Sequence, residues 1–436
     1  MRVIKIFLLF VCCISLDVQS QTFLSDTLGI NEDGSVIIAK SLALPGWILG
    51  VDVDSTDNLL FIRYRNLSKN ETSLKNKGGI SVYSLADQRM LWQRPVNYFN
   101  QDPKLTSEGV LFVTMGKATS LLDLKTGNEV WKKKKMIPYC VDAKNRMFLA
   151  YKGSYMNGVS NELEGHSLAT GEKMWSRKMS HVYGWNESGL LDDSTRLIVS
   201  DGIHLVHMGN GEGPSYAMPT GASDYKEAVA LGALGVVTGV LTGFAAVPTG
   251  PKKVMELVSN VLSDDTVFYV ASRENLFCLD RQLQPKWGYP IPDGMGSRSH
   301  LFARGDSLYM INMGTGYRNT IFDTSEAYAH EYLRLKVGWP FIACFDKRKG
   351  EKVWFRQLSD KKEMVEEFDI NWEEDALMVL FSDHIRKYSL SGDSLLSEVS
   401  WNTEVNGKLL YLTNSSYFLQ DLVSTLISGG NCIKML

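Results

Sequence analysis

Short apolar runs, each entered through a polar turn, recur along the chain. They are Asp57-Asn-Leu-Leu-Phe-Ile62, Glu108-Gly-Val-Leu-Phe-Val113, Lys144-Asn-Arg-Met-Phe-Leu149 and Asp193-Ser-Thr-Arg-Leu-Ile-Val199, followed by Asp265-Thr-Val-Phe-Tyr-Val270, Gly305-Asp-Ser-Leu-Tyr-Met310, Glu374-Asp-Ala-Leu-Met-Val379 and Gly407-Lys-Leu-Leu-Tyr-Leu412. Runs this short, rich in β-branched and aromatic residues, read as strands. Each is predicted to be the second strand of a four-stranded antiparallel sheet. Ser35-Val-Ile-Ile-Ala39 is a spare strand that can pair into the last sheet.

A second element follows six of these runs. Asp123 stands eight residues before Trp131, Ser167 eight before Trp175 and Asp346 eight before Trp354, with Gly127, Gly171 and Gly350 four before the same Trp. Ser84 and Trp92 keep the spacing without the Gly, Asp280 and Trp287 are one residue shorter, and Tyr388–Gly392 keeps the turn without a Trp. Glycine supplies positive φ in such a turn. The short polar side chain before it can bond turn backbone. The Trp offers a flat face that one sheet can lay against its neighbour. A lone sheet cannot bury both faces; sheets stacked radially can.

This turn-plus-Trp pattern resembles the tryptophan-docking repeat of the pyrroloquinoline-quinone-type β-propellers, with Trp92, Trp131, Trp175, Trp287 and Trp354 at the matching positions. The resemblance implies an all-β, eight-bladed propeller, with seven blades as the fallback. It covers nearly all of residues 21–436, as one domain. The family includes quinone-dependent dehydrogenases and also non-catalytic propellers, such as the lipoprotein component of the outer-membrane barrel assembly machinery.

The N-terminus reads as an address. Arg2 and Lys5 precede an apolar run from Ile6 to Leu16, and Val18 and Ser20 stand at the −3 and −1 positions before Gln21. That is the pattern of a secretory signal peptide over 1–20, and the run is too short to span a bilayer. Cys12 and Cys13 leave with it. Cys140, Cys278, Cys344 and Cys432 remain, too widely spaced for a metal knuckle. Cys278 and Cys344 sit in apolar runs and read as small buried hydrophobes; Cys140 has no evident partner.

Composition narrows the function. Over 436 residues, 44% hydrophobic content excludes a disordered chain, and 46 Lys+Arg against 49 Asp+Glu leave no global positive field for nucleic acid. Aromatic residues make up 11% of the chain, and part of that is the recurring Trp.

Insertions mark the working face, because long loops carry function more often than short ones. Loops between second and third strands share a face with the connections between sheets. Three such loops look long: 66–79, 153–164 and 314–340. The last holds Tyr317, Arg318, Phe322, Tyr328, Tyr332, Arg334, Lys336 and Trp339. Aromatics with Arg suit a protein-binding surface; the competing reading packs the aromatics onto their own blade. The largest inter-sheet insertion is 218–253, and within it Ala228–Val247 carries no charge and has Gly232, Gly235, Gly239 and Gly243 at G-x-x-x-G spacings. It reads as a Gly/Ala-rich element folded over the propeller's own channel. A membrane-dipping hairpin or a partner-docked helix is the alternative.

Catalytic patterns are missing. His204-x-x-His207 lies on a strand, where an odd offset sends the rings to opposite faces. Asp52-x-Asp54-x-x-Asp57 lacks the central Gly and terminal Glu of a calcium loop and reads as a solvated turn. The family's dehydrogenases place adjacent cysteines over the quinone, and the one adjacent pair here is Cys12-Cys13. The expectation is therefore a secreted or envelope protein-interaction propeller with no catalytic residue, no metal and neither PQQ nor calcium. The alternatives are a quinone/calcium-dependent oxidoreductase and a glycan or small-ligand binder.

Overall fold

The computed structural model describes residues 24–30, 36–41, 46–70, 73–115, 117–154, 158–224, 252–319, 332–392, 394–400, 408–413 and 416–420. The 1–20 leader, Phe322, Tyr328, Ala228–Val247 and Cys432 lie outside them. No helix occurs among the described residues.

Two compact units divide the chain: residues 1–98 with 123–128, and residues 99–122 with 129–436. The first unit holds sheet I, the meander Trp47–Asp54, Leu59–Leu67, Leu74–Ser84 and Arg89–Asn97. Its hairpin Leu24–Ile30/Val36–Ser41 is a separate two-stranded sheet, so the spare strand at Ser35–Ala39 pairs with Leu24–Ile30. Within this unit the Trp92 Nε1–H donates to Leu124 O at 2.7 Å. Its ring covers Gly127 so closely that a Cβ there would stand 2.7 Å from Cδ2. Asp123 Oδ1 accepts from the Thr126 amide and hydroxyl, both at 2.7 Å, and these bonds hold its carboxyl below the usual range.

The second unit continues with five further four-stranded meanders in chain order. Sheet II comprises Gln101–Thr106, Gly109–Thr114, Ala118–Leu122 and Glu129–Lys134. Sheet III comprises Met136–Asp142, Met147–Ser154, Gly158–Ser167 and Lys173–Lys178. Sheet IV comprises Glu187–Leu190, Thr195–Val199, Gly202–His207 and Ser215–Ala217. Sheet V comprises Leu262–Ser263, Val267–Ala271, Asn275–Asp280 and Pro285–Pro290. Sheet VII comprises Glu367–Asn371, Ala376–Leu380, His384–Ser389 and Leu395–Ser400. Sheet VI, between V and VII, comprises Ser299–Arg304, Ser307–Asn312, Phe341–Asp346 and Lys352–Gln357, so a long excursion separates its second and third strands. The first seven polar-turn strands of the sequence are the second strands of sheets I–VII. The eighth, Lys408–Thr413, forms a hairpin with Ser416–Gln420.

Continuous apolar runs explain the core. Second strands are buried on both faces, as in Val267–Ala271 and Val110–Val113. Within the second unit, sheets III to VII pack face to face in chain order. Tyr139, Leu149 and Trp175 pack with Ile198 and Val206 across sheets III and IV. Leu197 and Val199 pack with Phe268 and Val270 across IV and V. Tyr269 and Cys278 pack with Met310 and Phe345 across V and VI, and Tyr309 and Cys344 with Val379 and Tyr388 across VI and VII. Cys278 and Cys344 are thus core residues, and burial pushes the Cys278 thiol up to about 11. Cys140 is half-buried.

The Trp faces forward along the chain. Trp131 of sheet II donates to Leu168 O at 2.8 Å over Gly171, and Trp175 of sheet III donates to Met208 O at 2.6 Å over Gly211. Trp287 of sheet V covers Gly350 of sheet VI. Gly171, at φ 66°, has no alternative residue: a side chain would be strained by the backbone and would meet Trp131 at 2.7 Å. The Gly211 turn escaped the sequence pattern because no Trp follows it at the repeat spacing; Ser215 stands there. The consequence appears in sheet V. Its turn receives no Trp, carries no Gly, and is filled by Leu283, which is 1% exposed.

Candidate interaction surface built from two insertions

The two longest insertions meet. Ala222–Asp224 and Lys252–Met255, from the connection between sheets IV and V, join Thr315–Asn319 and Tyr332–Lys336, from inside sheet VI, in one four-stranded sheet. The joining register sets Val254 opposite Arg318 and Met255 opposite Tyr317. Gly316 permits the close approach, since a Cβ there would lie 2.8 Å from Leu257 Cδ2 and 3.0 Å from Val254 Cγ1. The other two long loops are different. Arg65, Leu67 and Leu74 continue the sheet I ladder, and Gly153 and Ser154 pair with Val159 and Gly158 in sheet III. Most of 66–79 and 153–164 is therefore extended hairpin, because these segments continue the alternation of their strands.

Three inter-sheet connections hold the insertion sheet. On the III–IV connection, Tyr183 packs against Gly221, and its hydroxyl lies 3.4 Å from Ser223 Oγ. Asp201 fixes that connection by accepting from the amides of Val182 at 2.8 Å and Tyr183 at 2.9 Å. On the V–VI connection, Arg298 N–H donates to Thr315 O at 2.9 Å. Its guanidinium lies 5.4 Å from the Tyr317 ring centroid and 3.2 Å from Glu256. On the VI–VII connection, Arg334 donates to Val365 O, pairs with Glu366, and donates from Nε to Thr315 Oγ1 at 3.2 Å.

The expected contact residues divide accordingly. Tyr317 is half-buried under Arg298. Trp339 is half-buried, with the Lys362 ammonium 5.8 Å from its ring centroid and its own amide donating to Met295 O at 3.1 Å. Arg318 and Tyr332 occupy strand positions opposite Val254 and Asn319. Phe322 and Tyr328 lie outside the described residues. Arg334 is engaged within the chain, and Lys336 is exposed. Sequence reasoning missed Arg298, Glu256 and Glu366. Their partners lie on other insertions or connections, so no local spacing marks them.

The other candidates keep structural roles. Asp52 pairs with Arg63 at 3.3 Å and Asp54 accepts from the Thr56 amide at 3.0 Å, as a turn does. His204 is half-buried and His207 exposed, as strand alternation requires. Burial and then Arg177 lower the His204 pKa to about 4, and its Nδ1 lies 2.8 Å from Ser215 Oγ.

A family model described as outer membrane protein assembly factor BamB matches residues 68–284. No curated protein sequence matches the chain. Among solved structures, BamB from Moraxella catarrhalis is 13% identical, covers 86% of this chain and 93% of its own, and gives a TM-score of 0.41. A quinohemoprotein alcohol dehydrogenase from Pseudomonas putida HK5 is 11% identical, covers 82% and 68%, and gives 0.36. Likeness at this level separates neither activity from the other. From sheet I to the turn of sheet V, residues 68–284 carry the docked tryptophans and resemble the PQQ-like repeat family described as outer membrane protein assembly factor BamB.

Proposed function

We propose that the chain is a secreted, non-catalytic propeller over residues 21–436 that works in the cell envelope. It recognises a protein partner through the insertion sheet and the loops it carries. The observation behind this reading is the union of two insertions from different sheets into a third structure fastened to three connections. Nothing in the repeat itself requires that sheet. Its aromatics stand beside guanidinium and ammonium groups, the residue mix of protein-binding surfaces. The family description supports an assembly role at the outer membrane.

The test replaces 320–331 with a short Gly-Ser linker, which retains both strands of the hairpin. Envelope crosslinking of wild type should yield a discrete complex that this variant loses while its thermal midpoint stays unchanged. An undiminished complex contradicts the reading. The oxidoreductase alternative makes the opposite prediction: addition of the quinone with Ca²⁺ would give a spectral change and dye-linked alcohol oxidation.

A further inference from the structure

Glu363 lies on the VI–VII connection, and Asp383 and His384 lie where the second-to-third-strand turn of sheet VII enters its third strand. Their ligand-capable atoms fall within 4.8 Å of one another, the one such group of His, Cys, Asp or Glu among the described residues. His384 is 7% exposed. Phe381 clamps its ring at 4.5 Å between centroids and 16° between planes. Nδ1 stands 2.6 Å from Asp383 Oδ1. A carboxylate only accepts, so Nδ1 carries the proton, and in the neutral ring the lone pair belongs to Nε2. That Nε2 is buried and makes no hydrogen bond. The group it faces is Glu363 Oε1, at 4.0 Å.

A buried ring nitrogen facing a half-buried carboxylate across such a gap calls for a cation between them. A proton on Nε2 does not close it, since an N–H···O bond needs about 2.7–3.2 Å. Metal bonds of about 2.0–2.2 Å on either side do, with a small approach of the Glu363 side chain. We propose that His384 Nε2 and the Glu363 carboxylate bind a divalent transition-metal ion of the zinc class, with Asp383 positioning the imidazole through Nδ1. Mixed imidazole and carboxylate donors suit such ions, and a carboxylate behind the ligating ring is the usual support. Nearby cations do not compete for the site. Arg386, 5.6 Å from the Phe381 ring centroid, pairs with Glu398 at 2.9 Å and donates to Leu358 O at 2.6 Å. Lys361 acts on the outer carboxylate, Asp383. The ion would tie the VI–VII connection to sheet VII, two residues before Val365 and three before Glu366, which hold Arg334 of the insertion sheet.

The full mature chain, stripped with EDTA, is titrated with Zn²⁺ in a calorimeter. One equivalent should bind, and the thermal midpoint should rise with Zn²⁺. His384→Gln and Glu363→Gln should each weaken binding at least tenfold and abolish the thermal shift. Asp383→Asn should weaken it about 10–100-fold, yet at saturation keep the visible Co²⁺ spectrum that His384→Gln loses. Circular dichroism checks each fold. If His384→Gln does not fold, Glu363→Gln decides, since Glu363 lies on a connection outside the strands. Wild-type protein without Zn²⁺ binding, the result if His384 is an imidazolium between two carboxylates, overturns the proposal. So does unchanged affinity in both ligand variants.

Discussion

The docked tryptophan turns and the insertion sheet are held by different means. In the first, one indole lies on one glycine and donates to one carbonyl, as Trp131 does on Gly171 and Leu168, and Trp175 does on Gly211 and Met208. The energy is mainly apolar burial, and the design repeats. In the second, strands from separate insertions meet once, and charged groups do the fastening: Arg298 with Glu256 and Tyr317, and Arg334 with Glu366 and Val365 O. A structure of the first kind tolerates little change. One of the second kind can change or open while the repeat stands. That is the division expected between a scaffold and a recognition surface.

The comparison breaks first at Trp175, which is 8% exposed. Trp175→Ala should remove about 3–5 kcal/mol from unfolding, read as a lower denaturant midpoint. A loss below about 1 kcal/mol would show that docking is not what holds sheets III and IV. Next comes Gly171→Val, which sets a side chain against Trp131 at positive φ. It should cost about 2–4 kcal/mol through strain and overpacking, measured the same way.

Arg334→Ala sharpens the other side. It removes an ion pair and the bonds to Val365 and Thr315. Limited proteolysis within 314–340 should accelerate severalfold, while the global midpoint falls by no more than a Gly171 variant's loss. Equal loss in both assays would make the insertion sheet part of the scaffold.

His204 supplies a smaller, pH-dependent effect in sheet IV, whose last strand carries no Trp. Its folded pKa, about 4, lies below the ordinary value of 6.5. The unfolded chain therefore binds the proton more readily between those values. Stability from this residue is full above pH 6.5 and is lost as pH falls toward 4. His204→Gln should flatten that part of the thermal-midpoint profile; an unchanged slope assigns it to other groups.

Much of this was legible in the sequence. The Asp–Gly–Trp spacing is local, so Asp123, Gly127, Gly350 and Trp287 could be placed by counting. The continuous short apolar runs likewise marked the buried second strands. The Gly211 turn was hidden because docking needs the Trp of the preceding sheet, not one of its own. The insertion sheet was hidden for a stronger reason. Val254 and Arg318 are opposite each other across more than sixty residues of chain, and no period links them. Likewise, His384 acquires meaning only beside Glu363, a neighbour supplied by a connection from another sheet.

A designed cross-link tests the central claim most directly. Val254 and Arg318 occupy directly opposed positions of the sheet, and such positions stand about 4.5–5.5 Å apart. Val254→Cys with Arg318→Cys, oxidised in the folded protein and mapped by mass spectrometry, should give one disulfide linking the two insertions. Two free thiols at those positions in a fully folded chain would contradict the account.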